Sequence, residues 1–506
     1  MTPTQPNAKL FDRRLVSVSV VVVLGAMMSI LDTTIINVAI NTLARDFDTG
    51  LATIQWVSTG YMLALATVIP LTGWAADRFG TKRLYMISIG LFLAGSALSG
   101  LAWSAGSLIA FRVLQGLGGG MLMPAGMTIL SQAAGPQRVG RVMSVVGVPM
   151  LLGPILGPVL GGWLVDSASW RWIFYINVPI GAIALIAALR LLPGDRPTAA
   201  ARLDWLGLLL LSPGLAAFVY GLAETASHGG LGSAQALAPM LVGLAMIAAF
   251  ILHAARTSGA LLDVRLFTVR TMSASALTTA SFGMAMFGSM LLIPLYYQIV
   301  RQQSALDAGL LLIPQGVGAA IAMPIAGKFT DQHGAGRIVL GGLVMLVLGM
   351  LGWSQVAADT SYVLLGASLF VLGLGMGMTM MPAMSAAYQT LRHEQIARAT
   401  TALNIIQRVA GSIGTALFSV VLATQLADRL PGAAGGGGLA AAQSVPASAR
   451  AELAPKIADA FGHTFFLGVI IALIAFIPAL FLPRRRPAPP ARDVESSSAV
   501  PPMVEA

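Results

Sequence analysis

The sequence lacks cysteine and is poor in charged residues. The absence of cysteine excludes disulfides and thiolate metal sites, and the five histidines are scattered, so no metal cluster is expected. Only 10% of the 506 residues are charged, against about 25% in a soluble domain. Because 56% of the residues are hydrophobic, the chain cannot cover a soluble globule with polar side chains, and its apolar surface must face lipid.

Long apolar runs alternate with short polar loops along the whole chain. A helix needs about 20 apolar residues to cross the bilayer core. Fourteen predicted spans meet this requirement, at 15–40, 54–74, 84–103, 107–131, 142–165, 171–192, 204–224, 236–256, 270–299, 306–327, 337–357, 361–389, 399–425 and 462–483.

The basic residues orient these spans. With the N-terminus inside, 22 of the 30 lysines and arginines fall in inner loops or tails and six in outer loops, while Arg112 and Arg408 fall inside spans. This bias is the positive-inside rule, and it predicts a multi-pass protein of the cytoplasmic membrane with both termini in the cytoplasm. It also accounts for the net charge of +10 without nucleic acid as a partner.

Sequence repeats divide the chain into two halves. Gly73 to Gly80 follows the second span and Gly327 to Gly334 the tenth, both with the spacing G-x₃-D-x₂-G. The fourth and twelfth spans also share a glycine- and methionine-rich segment that ends in Pro-Ala. Spans 1–6 therefore correspond to spans 9–14. Two repeated bundles with a cavity between them are typical of secondary transporters that work by alternating access.

This repeat defines the expected domains. They are a cytoplasmic tail (1–14), an N-terminal six-helix bundle (15–192), a two-helix insertion (204–256), a C-terminal six-helix bundle (270–483) with a long outer loop (427–458), and a disordered cytoplasmic tail (484–506). The outer loop is either flexible or holds a short helix for a partner protein.

Two charged residues within spans are the candidate proton-coupling groups. Asp32 is the one acidic residue that lies well within a predicted span, where a carboxylate is costly and usually faces a cavity or a partner. Desolvation favours its protonated form and a bound cation its ionised form, and that competition is the physics of proton-for-cation exchange. Arg112 needs a carboxylate, carbonyl or water nearby. Arg112 either tunes the carboxylate that carries the proton or only fastens its helix to a neighbouring helix. For Asp32 the alternative is a structural role, as a carboxylate at a helix end or in a salt bridge.

Other residues are candidates for gating or for the substrate cavity. The loop after the second span combines tight-turn glycines with charges that suit a latch between helix ends, and small residues four apart in the fifth span permit close helix contact. The gating candidates are Gly73, Asp77, Arg78, Gly80, Lys82, Arg83, Gly153, Gly157, Pro158 and Asp331. The cavity candidates are Asn37, Gln55, Trp56, Tyr61, Gln115, Tyr297, Gln298 and Asn404.

These motifs resemble those of the fourteen-helix drug:proton antiporters of the major facilitator superfamily. The segment from Gly73 to Arg83 resembles motif A of this superfamily. Arg112 with Gln115 and Gly116 resembles motif B, and the segment from Gly153 to Gly162 resembles motif C, which marks exporters. Residues 31–39 and 170–181 are similar to the first- and sixth-helix signatures of the fourteen-helix branch. The resemblance implies an all-α integral membrane protein with the major facilitator fold, built from two six-helix bundles and two extra central helices.

The resemblance also implies efflux of hydrophobic or cationic drugs in exchange for protons, with Asp32 as the embedded carboxylate. Two departures bear on it. Gln332 replaces the first arginine in the second copy of motif A, and further embedded acids are missing apart from Glu224 near the outer end of the seventh span.

No cofactor is expected, since the energy would come from the proton gradient. A membrane enzyme is disfavoured because no H-E-x-x-H, G-x-S-x-G or P-loop pattern occurs. The expected partners are a small drug-like substrate, protons, the lipid bilayer and an outer accessory protein, and the expected oligomeric state is a monomer. Export of a specific metabolite, antibiotic or lipid on the same fold stays open as the alternative function.

Overall fold

A computed structural model gives the fold. It describes residues 13–134, 138–139, 142, 153, 156–157, 160–165, 167–194, 202–227, 233–257, 259–389, 391, 395–430, 442 and 450–484. Within this part of the chain the regular elements are all helical.

In the part of the chain that the structure describes, seven helices with defined ends belong to the N-terminal half and two to the insertion. They are α1 (Arg13–Asp46), α2 (Leu51–Val68), α3 (Leu71–Phe79), α4 (Thr81–Gly100), α5 (Ala105–Ala134), α6 (Trp172–Tyr175), α7 (Asn177–Leu191), α8 (Trp205–Ser227) and α9 (Ala234–Arg256). The C-terminal half holds α10 (Arg270–Ile299), α11 (Ala305–Leu310), α12 (Ile313–His333), α13 (Ala335–Ser354), α14 (Tyr362–Gln389), α15 (Ile396–Arg429), α16 (Arg450–Ile474) and α17 (Phe476–Ala479).

Thirteen of the fourteen predicted spans appear among these helices. Twelve are long and apolar enough to cross a membrane as single helices or short continuations, and α2 with α3 forms a thirteenth, bent by 57°. The fifth predicted span, 142–165, lies mostly outside the described residues. Pro70 stands at the break between α2 and α3, where its missing N–H interrupts the helical hydrogen bonds.

The two copies of the glycine motif end in the same backbone conformation. Gly80 joins α3 to α4 with φ 83° and ψ 149°, and Gly334 joins α12 to α13 with φ 88° and ψ 149°. This region is essentially restricted to glycine. The sequence repeat is therefore also a repeat of backbone geometry.

Each half packs as a bundle, and the helices α8 and α15 link the halves. In the N-terminal half α5 packs on α4, α2 and α1, and in the C-terminal half α14 packs on α12 and α13. The helix α15 contacts α3 and α5 across the boundary. The insertion helices α8 and α9 form a tight pair, and α8 touches both α2 and α15.

The long outer loop is shorter than the predicted 427–458. The helix α15 continues to Arg429, and the last nine residues of the predicted loop belong to α16, which begins at Arg450. Arg429 forms a 2.8 Å ion pair with Asp459 that ties the two helix ends together. The composition of 450–458, with Pro455 and four alanine or glutamate residues, favours a loop. The helix nevertheless continues through Pro455, which removes one backbone hydrogen bond near its start.

Candidate functional site: a buried Asp32–Arg112 pair

Asp32 and Arg112 form an ion pair inside the N-terminal bundle. Asp32 lies on α1 and Arg112 on α5, and their side chains are 1% and 0% exposed. The Arg112 Nη1 atom donates to Asp32 Oδ2 at 2.6 Å. Because both charges are removed from water, each depends on the other for its stability.

Amide side chains complete the coordination of the Asp32 carboxylate. Gln115 Nε2 donates to Asp32 Oδ1 at 2.8 Å, and Asn177 Nδ2 donates to the same oxygen at 3.1 Å. Asn177 also donates to Ser96 Oγ at 3.1 Å, and Ser96 donates to the Phe174 carbonyl at 2.9 Å. Four helical segments, α1, α4, α5 and α7, therefore contribute side chains to one polar network.

The guanidinium of Arg112 is held from three sides. It accepts no bonds and donates through Nε to the Val57 carbonyl at 3.3 Å and through Nη1 to Gln115 Oε1 at 2.8 Å. Its carbon atom lies 3.9 Å from the centre of the Tyr61 ring, a cation–π contact. Its Nη2 atom is buried and has no partner among the described residues, so the arginine keeps one unused donor beside the carboxylate.

Close helix contact makes this network fit. Arg112 and Gln115 are three residues apart and share one face of α5. A Cβ atom at Gly95 would lie 2.5 Å from the Gln115 backbone, so only glycine lets α4 approach α5 this closely. Gly95 thus permits the close packing of α4 on α5 that places Ser96 next to the network.

Glycines of the fifth predicted span lie against α1 near Asp32. A Cβ at Gly153 would overlap Ile30, and one at Gly157 would overlap Thr34. Thr34 donates to the Gly153 carbonyl at 3.2 Å. Pro158 lies outside the described residues.

Two of the predicted gating residues, Gly73 and Asp77, lie where α3 meets α15. Arg398 Nε donates to Asp77 Oδ2 at 3.2 Å, and a Cβ at Gly73 would contact Thr401 and Arg398. Asp77 and Arg398 therefore join the two halves of the protein. Arg78 and Arg83 are exposed, Lys82 binds the end of α7, and Asp331 is 9% exposed near the end of α12.

Of the predicted cavity residues, Gln115 and Tyr61 join the buried pair and the others do not. Gln55 and Gln298 are exposed, and Trp56 stacks on Tyr220 of α8. Tyr297 is buried in an aromatic cluster with Tyr296 and Trp353. Asn404 donates to Thr400 of its own helix, and the side chain of Asn37 lies outside the described residues.

Asn177 and Ser96 are not among the site residues predicted from the sequence. Asn177 had a usable signal, because it is a polar residue within the apolar segment 170–181. Ser96 had none, since serine is common in such helices and only the approach of α4 to α5 gives it a role. No group of three metal-ligating side chains occurs in the described part of the chain.

Comparison with known proteins identifies the family. The sequence profile of the Major Facilitator Superfamily matches residues 22–415. The chain is 44% identical to "Multidrug resistance protein B homolog" of Mycobacterium tuberculosis (strain ATCC 25618 / H37Rv), over 92% of this chain and 89% of that protein. It is 32% identical to "Multidrug export protein EmrB" of Haemophilus influenzae, over 78% of each.

Solved structures agree on the fold. A proton:xylose symporter, XylE, matches 91% of this chain and 96% of its own with a TM-score of 0.57 and 14% identity. The human organic anion transporter MFSD10 matches 92% of this chain and all of its own with a TM-score of 0.55 and 16% identity. The predicted family and the expectation of a transporter rather than an enzyme are thereby confirmed: the chain belongs to the Major Facilitator Superfamily.

Proposed function

We propose that the protein is a proton-coupled antiporter that exports hydrophobic or cationic drug-like compounds across the cytoplasmic membrane by alternating access. It works as a monomer, with both termini in the cytoplasm. The observation that carries the proposal is the buried Asp32–Arg112 pair, because a membrane-embedded carboxylate beside a fixed cation can exchange a proton for a positive charge.

The electrostatics of the pair supply the coupling. Arginine keeps its proton under all working conditions, so Asp32 is the group in this network that changes charge. When Asp32 is ionised, it balances Arg112 and attracts a cation. When Asp32 takes up a proton, Arg112 is left as an uncompensated positive charge, which repels a cationic substrate. Proton binding and substrate binding therefore oppose each other at one carboxylate.

The Asp77–Arg398 pair supports a two-state mechanism. It joins α3 of one half to α15 of the other at the end of the protein that the basic residues assign to the cytoplasm. A bond across this boundary holds the cytoplasmic side closed. Opening that side requires the bond to break, which is the behaviour expected of a latch in a rocking mechanism.

The relatives support the cargo class. Their names describe multidrug resistance and multidrug export. The proton gradient is a sufficient energy source, since moving one charge through 100 mV provides about 2.3 kcal/mol.

Transport in proteoliposomes tests the proposal. Purified protein is reconstituted with an imposed pH gradient, and the movement of ethidium is followed for the wild type, Asp32→Asn and Asp48→Asn. Asp48 is an exposed acid at φ 46°, a conformation that asparagine tolerates well, so it is a matched control. We expect gradient-dependent transport by the wild type and Asp48→Asn and none by Asp32→Asn.

Two outcomes would contradict parts of the proposal. Transport by Asp32→Asn at the wild-type rate, with the same dependence on pH, would assign a structural role to Asp32. Folded wild type that moves no ethidium under any gradient would instead place the cargo among metabolites, antibiotics or lipids.

A further inference from the structure

We propose that the inner end of the N-terminal bundle holds a binding site for a phosphate group, carried by an anionic lipid or by a soluble phosphate ester. The site is a cavity of about 390 Å³, here called the basic cavity. Its polar lining includes Arg14, Thr81, Lys82 and Arg138.

The charges of the basic cavity have one sign. Arg14, Lys82 and Arg138 contribute three cations from three different parts of the fold, and the described lining contains no carboxylate. Neither Arg14 nor Arg138 forms an ion pair with another described residue. Three cations around one cavity repel one another unless an anion lies between them. A phosphate group meets this requirement, because arginine binds its oxygens in a bidentate manner.

Lys82 is fixed in place at the wall of the basic cavity. Its Nζ atom donates to the carbonyls of Leu189 and Leu192 at 2.9 and 2.8 Å. These carbonyls belong to the last turn of α7 and the residue after it, so the ammonium group stabilises the negative end of that helix. A lysine held in this way presents its charge to the cavity without the loss of side-chain entropy that a mobile lysine would suffer on binding a ligand.

The start of α4 adds to the attraction for an anion. Thr81 is the first residue of α4 and lines the basic cavity. The N-terminus of this 20-residue helix, with its partial positive charge, therefore lies at the wall of the basic cavity. This helix end reinforces the three side-chain cations.

The remaining lining suits a ligand with an apolar part. Leu15, Ile129, Ala133, Leu192 and Pro193 form an apolar wall. The volume far exceeds that of a single water, about 30 Å³, and admits a phosphate with a glycerol-sized substituent. Basic pockets between membrane helices on the cytoplasmic side bind anionic lipid headgroups in general, whereas a soluble phosphate ester would reach the same cations from the cytoplasm.

Thermal unfolding of the purified full-length protein in detergent tests the site and distinguishes the two sources. The protein is titrated with short-chain phosphatidylglycerol, with short-chain phosphatidylcholine as the lipid without net charge, and with glycerol 3-phosphate. The variants are Arg14→Gln/Arg138→Gln, Arg138→Gln alone and Arg14→Lys/Arg138→Lys. The matched control is Arg256→Gln/Arg337→Gln, which removes two exposed arginines from the same side of the membrane outside the cavity.

We expect a saturable rise in unfolding temperature with phosphatidylglycerol or glycerol 3-phosphate and none with phosphatidylcholine. A response to phosphatidylglycerol alone identifies a lipid headgroup as the ligand, and a response to both identifies a soluble phosphate ester as sufficient. Loss of two cations should weaken binding about thirtyfold, and loss of Arg138 alone about fivefold. The lysine variant and the control should bind within about threefold of the wild type.

Three results would overturn the proposal. One is the absence of a saturable rise with either anionic ligand. Another is wild-type affinity in Arg138→Gln, which removes only an exposed side chain and so leaves folding intact. The third is an equal loss of affinity in the control, because the attraction would then come from the whole basic surface and not from the cavity.

Discussion

Arg112 on α5 and Asp32 on α1 lie 80 residues apart in sequence and are joined by a 2.6 Å hydrogen bond in the interior of the N-terminal bundle. The pair has no net charge only while both members are ionised. A change to either residue therefore alters two quantities, the stability of the bundle and the response to protons, and variants can separate them.

The first prediction concerns the balance of charge. Asp32→Asn leaves Arg112 buried without a counter-charge, which should destabilise the protein by about 3–5 kcal/mol. The double variant Asp32→Asn/Arg112→Gln removes both charges and should regain most of that stability, as measured by thermal unfolding, while proton-coupled transport stays absent. A double variant that is no more stable than Asp32→Asn would show that the two charges do not compensate each other.

A second prediction concerns Asn177, which donates to Asp32 and to Ser96. Asn177→Ala removes one of the hydrogen bonds that hold the Asp32 carboxylate in place, and such a bond contributes about 0.5–1.5 kcal/mol. The rate of gradient-driven transport in proteoliposomes should therefore fall about twofold to tenfold. Asn404→Ala, whose side chain bonds only within its own helix, should leave the rate unchanged. An equal loss of transport in both variants would refute the assignment.

Third, the Asp77–Arg398 bond should control access from the cytoplasmic side. The absence of natural cysteine allows a single reporter, Thr401→Cys, at a buried position that faces Gly73. Adding Asp77→Asn should increase the labelling rate of this cysteine about threefold to fivefold, because a partly exposed bridge contributes up to about 1 kcal/mol. Arg83→Gln, which changes an exposed charge nearby, should have no such effect. Equal labelling in the presence and absence of Asp77 would exclude a latch.

The two motif glycines provide a fourth prediction. Gly80→Ala and Gly334→Ala place a side chain at φ 83° and 88°, which should destabilise the protein by about 1–3 kcal/mol each. Gly90→Ala is the control, since it lies within α4 and a Cβ there meets nothing within 4 Å. That change should be neutral or stabilising by roughly 0.5–1 kcal/mol. Similar unfolding temperatures for all three variants would show that the motif glycines tolerate a side chain.

The fifth prediction concerns Asp204, which lies just before the membrane span of α8 and joins it to α9. Burial raises the pKa of its carboxyl, but the Gly207 and Leu261 backbone N–H groups and a 2.9 Å contact with His253 outweigh burial and lower the pKa below 3.8. A carboxyl whose pKa is lowered by folding stabilises the folded state when the pH is above the ordinary pKa of the group. This stabilisation is lost as the pH falls through the pKa of the folded state. At neutral pH, Asp204→Ala should therefore cost about 1–3 kcal/mol.

The pH dependence of this difference is the measurement. The gap in unfolding temperature between the wild type and Asp204→Ala should narrow as the pH is lowered past 3.8. The exposed Asp359→Ala serves as a control and should show no gap at any pH. A gap for Asp204→Ala that persists unchanged in acid would indicate that packing, and not the charge, holds α8 to α9.

Most of the fold could be predicted from the sequence because membrane spans are recognisable by their length and hydrophobicity. Thirteen of the fourteen predicted spans appear in the described helices, and the glycine repeat correctly paired the α3–α4 and α12–α13 junctions. The break at Pro70 was not predicted, since the apolar run continues across it. Hydropathy measures the affinity of a segment for lipid and does not reveal a change in the direction of the helix axis.

The candidate site was predictable only in part. A charge within a span is costly, and this cost singled out Asp32 and Arg112. Neutral residues carry no such penalty, so the same reasoning could not separate Asn177, which binds Asp32, from Asn404, which bonds its own helix. Tyr297 shows the converse, because an aromatic residue fits an aromatic cluster as well as a substrate cavity. Partners of this kind are fixed by helix rotation and spacing, which composition does not encode.

The contacts of α8 impose a mechanical condition on any motion between the halves. This helix touches α2 of one half and α15 of the other, and Trp56 of α2 stacks on Tyr220 of α8 with ring centres 6.0 Å apart. A relative rotation of the halves cannot preserve both contacts, so one of them must slide. The contact that holds decides which half carries α8 and α9 with it during the motion. The opposite face of α8 then becomes a sliding surface between the halves.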